Sequence, residues 1–332
     1  MIGMMVPSAF AYTITDDATG GDCSTIGTWD SASRTCTLSD DITENIIIGA
    51  NNIVLDGNGK TILGNPNMNY YPSSDNNYNS SYDYYCGGET NDYDKTAIQF
   101  NAKTNLVIEN LIIKNWCRAI LASDSINNTF QANTIIENES GISLTSSSGD
   151  LITQNNFDHI KGTVIYLAGS DFTISSNTID DSSATFIDPS NLSGFHHGTF
   201  TGILVSATDN GVNLIENNNL ASSGSGFDRG IAKNDNQHLV TIKNNNIGSM
   251  IGDGIYCSGY CNIFDNDIIF GASIIDGYDS SYDPVAIRAG SYTSIHDNTI
   301  DNWKKALETH NNPVLVYHNL IQNNLITFTL DN

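Results

Sequence analysis

The chain has 332 residues, with 13 Lys and Arg against 37 Asp and Glu, for a formal net charge of −24. That balance excludes a nucleic-acid binder, because phosphate neutralisation needs clustered cations, and it opposes unaided binding to polyanionic sugars or anionic lipid. It suits a solvated acidic surface, or oxygen ligands for a divalent cation.

The chain opens MIGMMVPSAFA, an apolar run in which Ala9-Phe10-Ala11 reads as a small-x-small cleavage site. Residues 1–11 are therefore expected to be the remnant of a signal peptide, and the product to be secreted, extracellular or at the cell surface. No later segment approaches the roughly 18 uninterrupted apolar residues of a spanning helix. Six cysteines in an exported chain suggest disulfides between neighbours: Cys23 with Cys36, Cys86 with Cys117, and Cys257 with Cys261. Asn79, Asn127, Asn138 and Asn191 each open an N-x-S/T sequon and are expected in exposed turns.

Residues 12–45 form an expected N-terminal cap, in which CSTIGTWDSASRTC reads as a disulfide-closed hairpin. From residue 46 onward the chain repeats with a base period near 22 residues. One motif is apolar-x-x-Asn-x-apolar, anchored at Asn110, Asn133, Asn155, Asn177, Asn218, Asn245, Asn266, Asn298 and Asn319. Between the anchors a second motif recurs, a small residue followed by a branched apolar one: AIQF, AILA, GISL, VIYL, GILV, GIAK, GIYC, AIRA and ALET. With IIIG at residue 46 these make about ten coils of three very short strands each. No stretch holds helical apolar spacing. A unit this small cannot bury its own apolar side and must stack on its neighbours, which gives a parallel β-solenoid.

These repeats resemble those of right-handed parallel β-helix proteins, and TENIIIGANNIVLDGNGKTILGN resembles the opening coil of the NosD-like β-helix repeat family. The resemblance covers about residues 38–328, within an expected β-helix domain of 46–332. It implies an all-β fold, and it is poor for function because this architecture hosts lyases, hydrolases, epimerases, adhesins and structural proteins. In pectate-lyase-like members the strands of a coil are PB1, PB2 and PB3, and the turns after them T1, T2 and T3. The small-Ile motif maps to PB1 and the Asn anchor to T2. Each anchor is expected to adopt the left-handed bend and to bond its copies one coil away.

Strand alternation then fixes the outward PB1 column. It runs Gln99, Leu121, Ser143, Tyr166, Leu204, Ala232, Tyr256, Arg288 and Glu308. Tyr166, Leu204, Tyr256 and Arg288 are the candidate ligand-binding residues, and Arg288 and Glu308 are the candidate catalytic pair. Arg229 and Lys233 are further candidate cations; Lys233 falls at an inward position, so the strand is expected to end there and its side chain to turn out. Three long insertions, 64–96, 180–200 and 270–284, all fall at T3 beside PB1. Long loops on one edge of a rigid scaffold are where binding usually resides. The first carries seven Tyr among Asn, Asp and Ser, the chemistry of recognition loops. Asp276, Asp279 and Asp283, with Asp83, Asp92 and Asp94, are candidate Ca²⁺ ligands, although no EF-hand or RTX spacing is present.

Polygalacturonase-like hydrolases use an Asp pair and a Gly-His-Gly. Here Asp180-Asp181 lies in a turn, and GFHHGT, with His196 and His197, is not followed by Arg-Ile-Lys. NosD-like members are associated with copper delivery, yet the seven His are scattered and three of the five Met lie in the leader. The sequence therefore favours non-catalytic binding of a polysaccharide or surface glycoprotein through PB1 and T3. A carbohydrate-active lyase, epimerase or hydrolase stands as the second reading. A segment of a surface layer is the third, because LITFTL begins a strand with no amphipathic cap after it, and association through that end is expected.

Overall fold

The computed structural model describes residues 11–64, 95–180, 201–221, 229–248, 250, 252–270, 284–310 and 313–331. The chain is a right-handed parallel β-helix with three sheets along its axis. Among the described residues PB1 has twelve strands, from Tyr12–Ile14 to Ile326–Asp331. Among those residues PB2 also has twelve, beginning with Gly27–Asp30 and Thr35–Leu38, and PB3 has ten, from Thr61–Leu63 to Leu320–Gln322.

The cap continues the solenoid. Tyr12–Ile14 pairs in parallel with Ile46–Ile48, and Thr35–Leu38 with Val54–Asp56. Ile42 bridges Ile62 in the direction of PB3. Among the described strands, only Gly27–Asp30 runs antiparallel, as the outer arm of the hairpin that the Cys23–Cys36 disulfide closes. Cys257 and Cys261 are also bonded to each other. Cys86, expected opposite Cys117, lies outside the described residues, as do residues 1–10 of the expected leader.

The core is a column of branched aliphatics. Ile98, Ile120, Ile142, Ile165, Ile203, Ile231, Ile255 and Ile287 are buried in PB1, each in register with its copy one coil away. Burying one such side chain contributes about 1.5–3 kcal/mol, and β-branching suits the pleated surface. The small residue before each Ile has a steric cause. A Cβ on Gly202, Gly230 or Gly254 would come within 2.7 Å of the carbonyl oxygen of the next coil's Gly230, Gly254 or Ala286.

The T2 asparagines form a continuous hydrogen-bonded ladder from Asn133 to Asn319. From Asn155 onward each Oδ1 accepts both the backbone N–H and the Nδ2 of the preceding rung, at 2.9–3.1 Å. Each Nδ2 also donates to a strand carbonyl of the preceding coil, such as Ile108 O for Asn133 and Ile215 O for Asn245. Two expectations need correction. The left-handed residue is the one before each rung: Asn244 has φ 53°, with Ala132, Gln154, Ser176, Asn217, Asp265, Asp297 and His318 as its equivalents. Asn110, expected as the first rung, belongs to this bend set with φ 56°. Leu111 holds the rung position there, donating its N–H to Asn133 Oδ1. Bend and rung are separate tasks, because the bend points its side chain to solvent while a rung must point inward to reach the next coil.

Asn245→Ala should therefore lose about 1–3 kcal/mol, since it strips acceptor and donor from buried backbone groups. Urea unfolding measures this, and a loss near zero would refute a structural ladder.

Asn138 corrects the expectation of an exposed sequon. Its amide is buried, accepting from Trp116 N and donating to Ile113 O. Asn127 does sit in an exposed turn, while Asn79 and Asn191 lie outside the described residues. In the last coil Leu315, Leu320, Leu325 and Phe328 are exposed.

Candidate functional site

Parallel pairing puts the outward PB1 residues in one unbroken file: Gln99, Leu121, Ser143, Tyr166, Leu204, Ala232, Tyr256, Arg288, Glu308. Tyr166, Leu204 and Tyr256 are half-buried, and Ala232 between the last two is fully covered. The three T3 insertions start and end at the corner between PB3 and PB1: Leu63 to Thr96, Asp180 to Thr201, and Ile269 to Val285. Asp276, Asp279 and Asp283 lie outside the described residues, as do Asp83, Asp92, Asp94, Asp181, His196 and His197.

The C-terminal half of the file is charged. Arg288 donates from Nε to Asp253 Oδ1 and Oδ2, at 3.1 and 3.3 Å, and from Nη1 to Glu308 Oε1. Glu308 also accepts from Lys305 Nζ on Oε2 at 2.9 Å and meets His310 Nε2 on Oε1 at 2.9 Å. Asp253 Oδ2 lies 3.6 Å from Arg229 Nε on its other side. The Arg229 guanidinium covers one face of the Tyr256 ring, 4.2 Å from its centroid, a cation–π contact. That contact corrects the expectation of an open Tyr256 platform.

Arg288 thus links two carboxylates whose environments push them apart. Burial raises Asp253 above the usual carboxylate range, although Arg288 and Arg229 oppose it. Burial also acts against Glu308, but Lys305, Arg288 and His310 together bring it below that range.

Asp253, Lys305 and His310 were missed from sequence. Asp253 and Lys305 belong to a second file at the start of PB1, one place before the small residue of each coil, where Arg229 pairs with Asp253 and Val285 with Lys305. Reading that position coil by coil would have found them. Lys233 corrects a further expectation. It does not turn out to solvent but is wholly buried beneath the T1 corner, donating from Nζ to Gly259 O at 2.8 Å and to Asp235 Oδ1 at 3.0 Å.

A separate aromatic file lies on the outer face of PB2. Phe264, His296 and Tyr317 stack with centroids 5.0 and 4.7 Å apart. His296 is stacked on both faces, and Phe264 and Tyr317 on one face each.

A three-sheet parallel solenoid with a polar, partly aromatic PB1 face beside long T3 corners defines a right-handed β-helix protein of the pectate-lyase-like class. Within that class the chain belongs to the family described as periplasmic copper-binding protein (NosD), whose model matches residues 11–197. The crystal structure of a hyperthermoactive exopolygalacturonase from Thermotoga maritima is similar over 84% of this chain and 72% of that chain, with TM-score 0.42 and 13% sequence identity. No curated protein sequence matches the chain significantly.

Proposed function

We propose that the chain is an exported, non-catalytic β-helix protein that binds a glycan or another surface partner along PB1. The observation that carries this reading is the unbroken outward file from Tyr166 to Glu308, bordered by the three T3 corners. Coils about 4.8 Å apart set Tyr166 and Arg288 roughly 20 Å from each other, the length of a short oligosaccharide. Tyr166→Ala combined with Tyr256→Ala should weaken binding to a captured polysaccharide about tenfold or more, as loss of buried aromatic anchors does. Glycan-array and pull-down measurements read this. Unchanged binding, or no binding to any extracellular polysaccharide, removes the sugar reading.

The opposite displacement of Asp253 and Glu308 favours a second reading, a carbohydrate-active enzyme, because acid–base pairs are built in that way. Release of reducing or unsaturated ends from a polysaccharide panel, with and without Ca²⁺, and its loss in Glu308→Gln, would support catalysis. Silence across the panel would leave the binding reading alone.

The family description names copper. Among the described residues no group of three or more His, Cys, Asp and Glu is arranged so that it could hold a metal ion, and Cys23, Cys36, Cys257 and Cys261 are consumed in disulfides. The described donor set does not fit a copper site, so no step here is routed through copper.

A further inference from the structure

We propose that Arg229 and Arg288, gathered by Asp253, form a clamp for an anionic group, a carboxylate or sulfate ester, carried by the glycan that occupies PB1. The clamp rests on the binding reading above and names the chemistry of its ligand.

Asp253 stands between two arginines from different coils, Arg229 one coil before and Arg288 one coil after. Both present Nε to its carboxylate, at 3.6 and 3.1 Å. Arg288 also commits Nη1 to Glu308, which leaves its Nη2 and both Nη nitrogens of Arg229 uncommitted among the described residues. Among the described residues, Arg288 Nη2 makes no hydrogen bond. Arg229 makes none at all, beyond the long Nε contact and the Tyr256 ring. Their side chains are 29% and 25% exposed, so both are largely desolvated yet open on one side.

A part-buried guanidinium with some of its N–H donors unpaired is an unsettled group. A planar carboxylate or a sulfate ester satisfies it with two parallel charge-assisted bonds, in a way that a neutral hydroxyl cannot. The local charge agrees. Three permanent cations, Arg229, Arg288 and Lys305, face two carboxylates, Asp253 and Glu308, in a chain whose net charge is −24. Overall acidity repels a polyanion at long range, but salt screens that repulsion beyond about 10 Å. At contact distance the clamp decides. Tyr166 and Leu204, further along the file, serve the uncharged part of the ligand.

The test is titration calorimetry of the full chain with three probes: a hexuronate oligosaccharide, its methyl-esterified neutral form, and a sulfated oligosaccharide. The wild type should bind at least one acidic probe about tenfold or more tighter than the neutral one, and the stronger of the two acidic probes tells carboxylate from sulfate. Arg229→Gln should lower the ratio of acidic to neutral affinity toward one, whereas Tyr166→Ala should weaken all probes alike and leave that ratio unchanged. Should Arg229→Gln fold poorly, Arg229→Lys, which keeps the charge but loses the fork, should give an intermediate preference. Equal binding of neutral and acidic probes, or an unchanged preference in both Arg229 variants, overturns the clamp while leaving glycan binding intact. Binding of no probe overturns both.

Discussion

Lys233→Ala should destabilise the protein by about 3–5 kcal/mol, the usual cost of stripping one partner from a buried ion pair. Lys233 occupies an inward PB1 position, in register with Val205 and Cys257. Its ammonium is fully buried, and its pKa falls because burial outweighs the pull of Asp235. It survives there because Asp235 and Gly259 surround it with oxygen. Asp235 in turn ties three chain segments together, accepting from His238 N, Gln237 N and Ala207 N. Removing Lys233 leaves Asp235 and Gly259 O short of a donor and opens a void beneath the T1 corner. Urea unfolding measures the loss. A destabilisation below about 1 kcal/mol, typical of an exposed pair, would show that the lysine is not a structural pin.

Asp150→Asn should act in the opposite direction. Asp150 is 2% exposed and sits in a T1 ladder where Leu106 N bonds Asn128 Oδ1 and Asn128 bonds Asp150 Oδ1. Its Oδ2 has no hydrogen-bond partner among the described residues. Burial pushes its pKa up to about 6, against partial relief from the two Asn128 bonds. The folded state therefore holds this proton more tightly than the unfolded chain does. Below the ordinary value of 3.8 both states are protonated and nothing is lost. As pH rises from there to about 6, the unfolded chain releases the proton first, so stability falls, and above about 6 the loss is complete. A displacement of about two pKa units corresponds to about 3 kcal/mol. Asparagine keeps the shape without the charge. The variant should match the wild type near pH 3.5 and exceed it by about 2–3 kcal/mol at pH 7.5. An advantage that does not vary with pH would mean that Asp150 is not the group responsible.

The β-helix itself was legible. Period, strand alternation and the small-Ile pair are local signals, and the outward file from Gln99 to Glu308 came out in the expected order. The site was legible only in part. Arg288 and Glu308 pair across PB1, one file and one coil apart. Arg288 and Asp253 are 35 residues apart in the chain, and an insertion of irregular length lies between them. The repeat places them in adjacent coils but in different files, so it does not say that their side chains meet.

The sequence by itself determined which side chains face in and which face out, because a two-residue alternation and a 22-residue repeat leave no other way to bury the isoleucines. Only the tertiary structure decided what neighbouring coils do to one another. It separated bend from rung at Asn244 and Asn245, enclosed Lys233 and Asn138, laid Arg229 over Tyr256, and drew two arginines onto Asp253. Those outcomes depend on distances across the gap between stacked coils, where burial and charge are shared by residues that the chain order keeps apart.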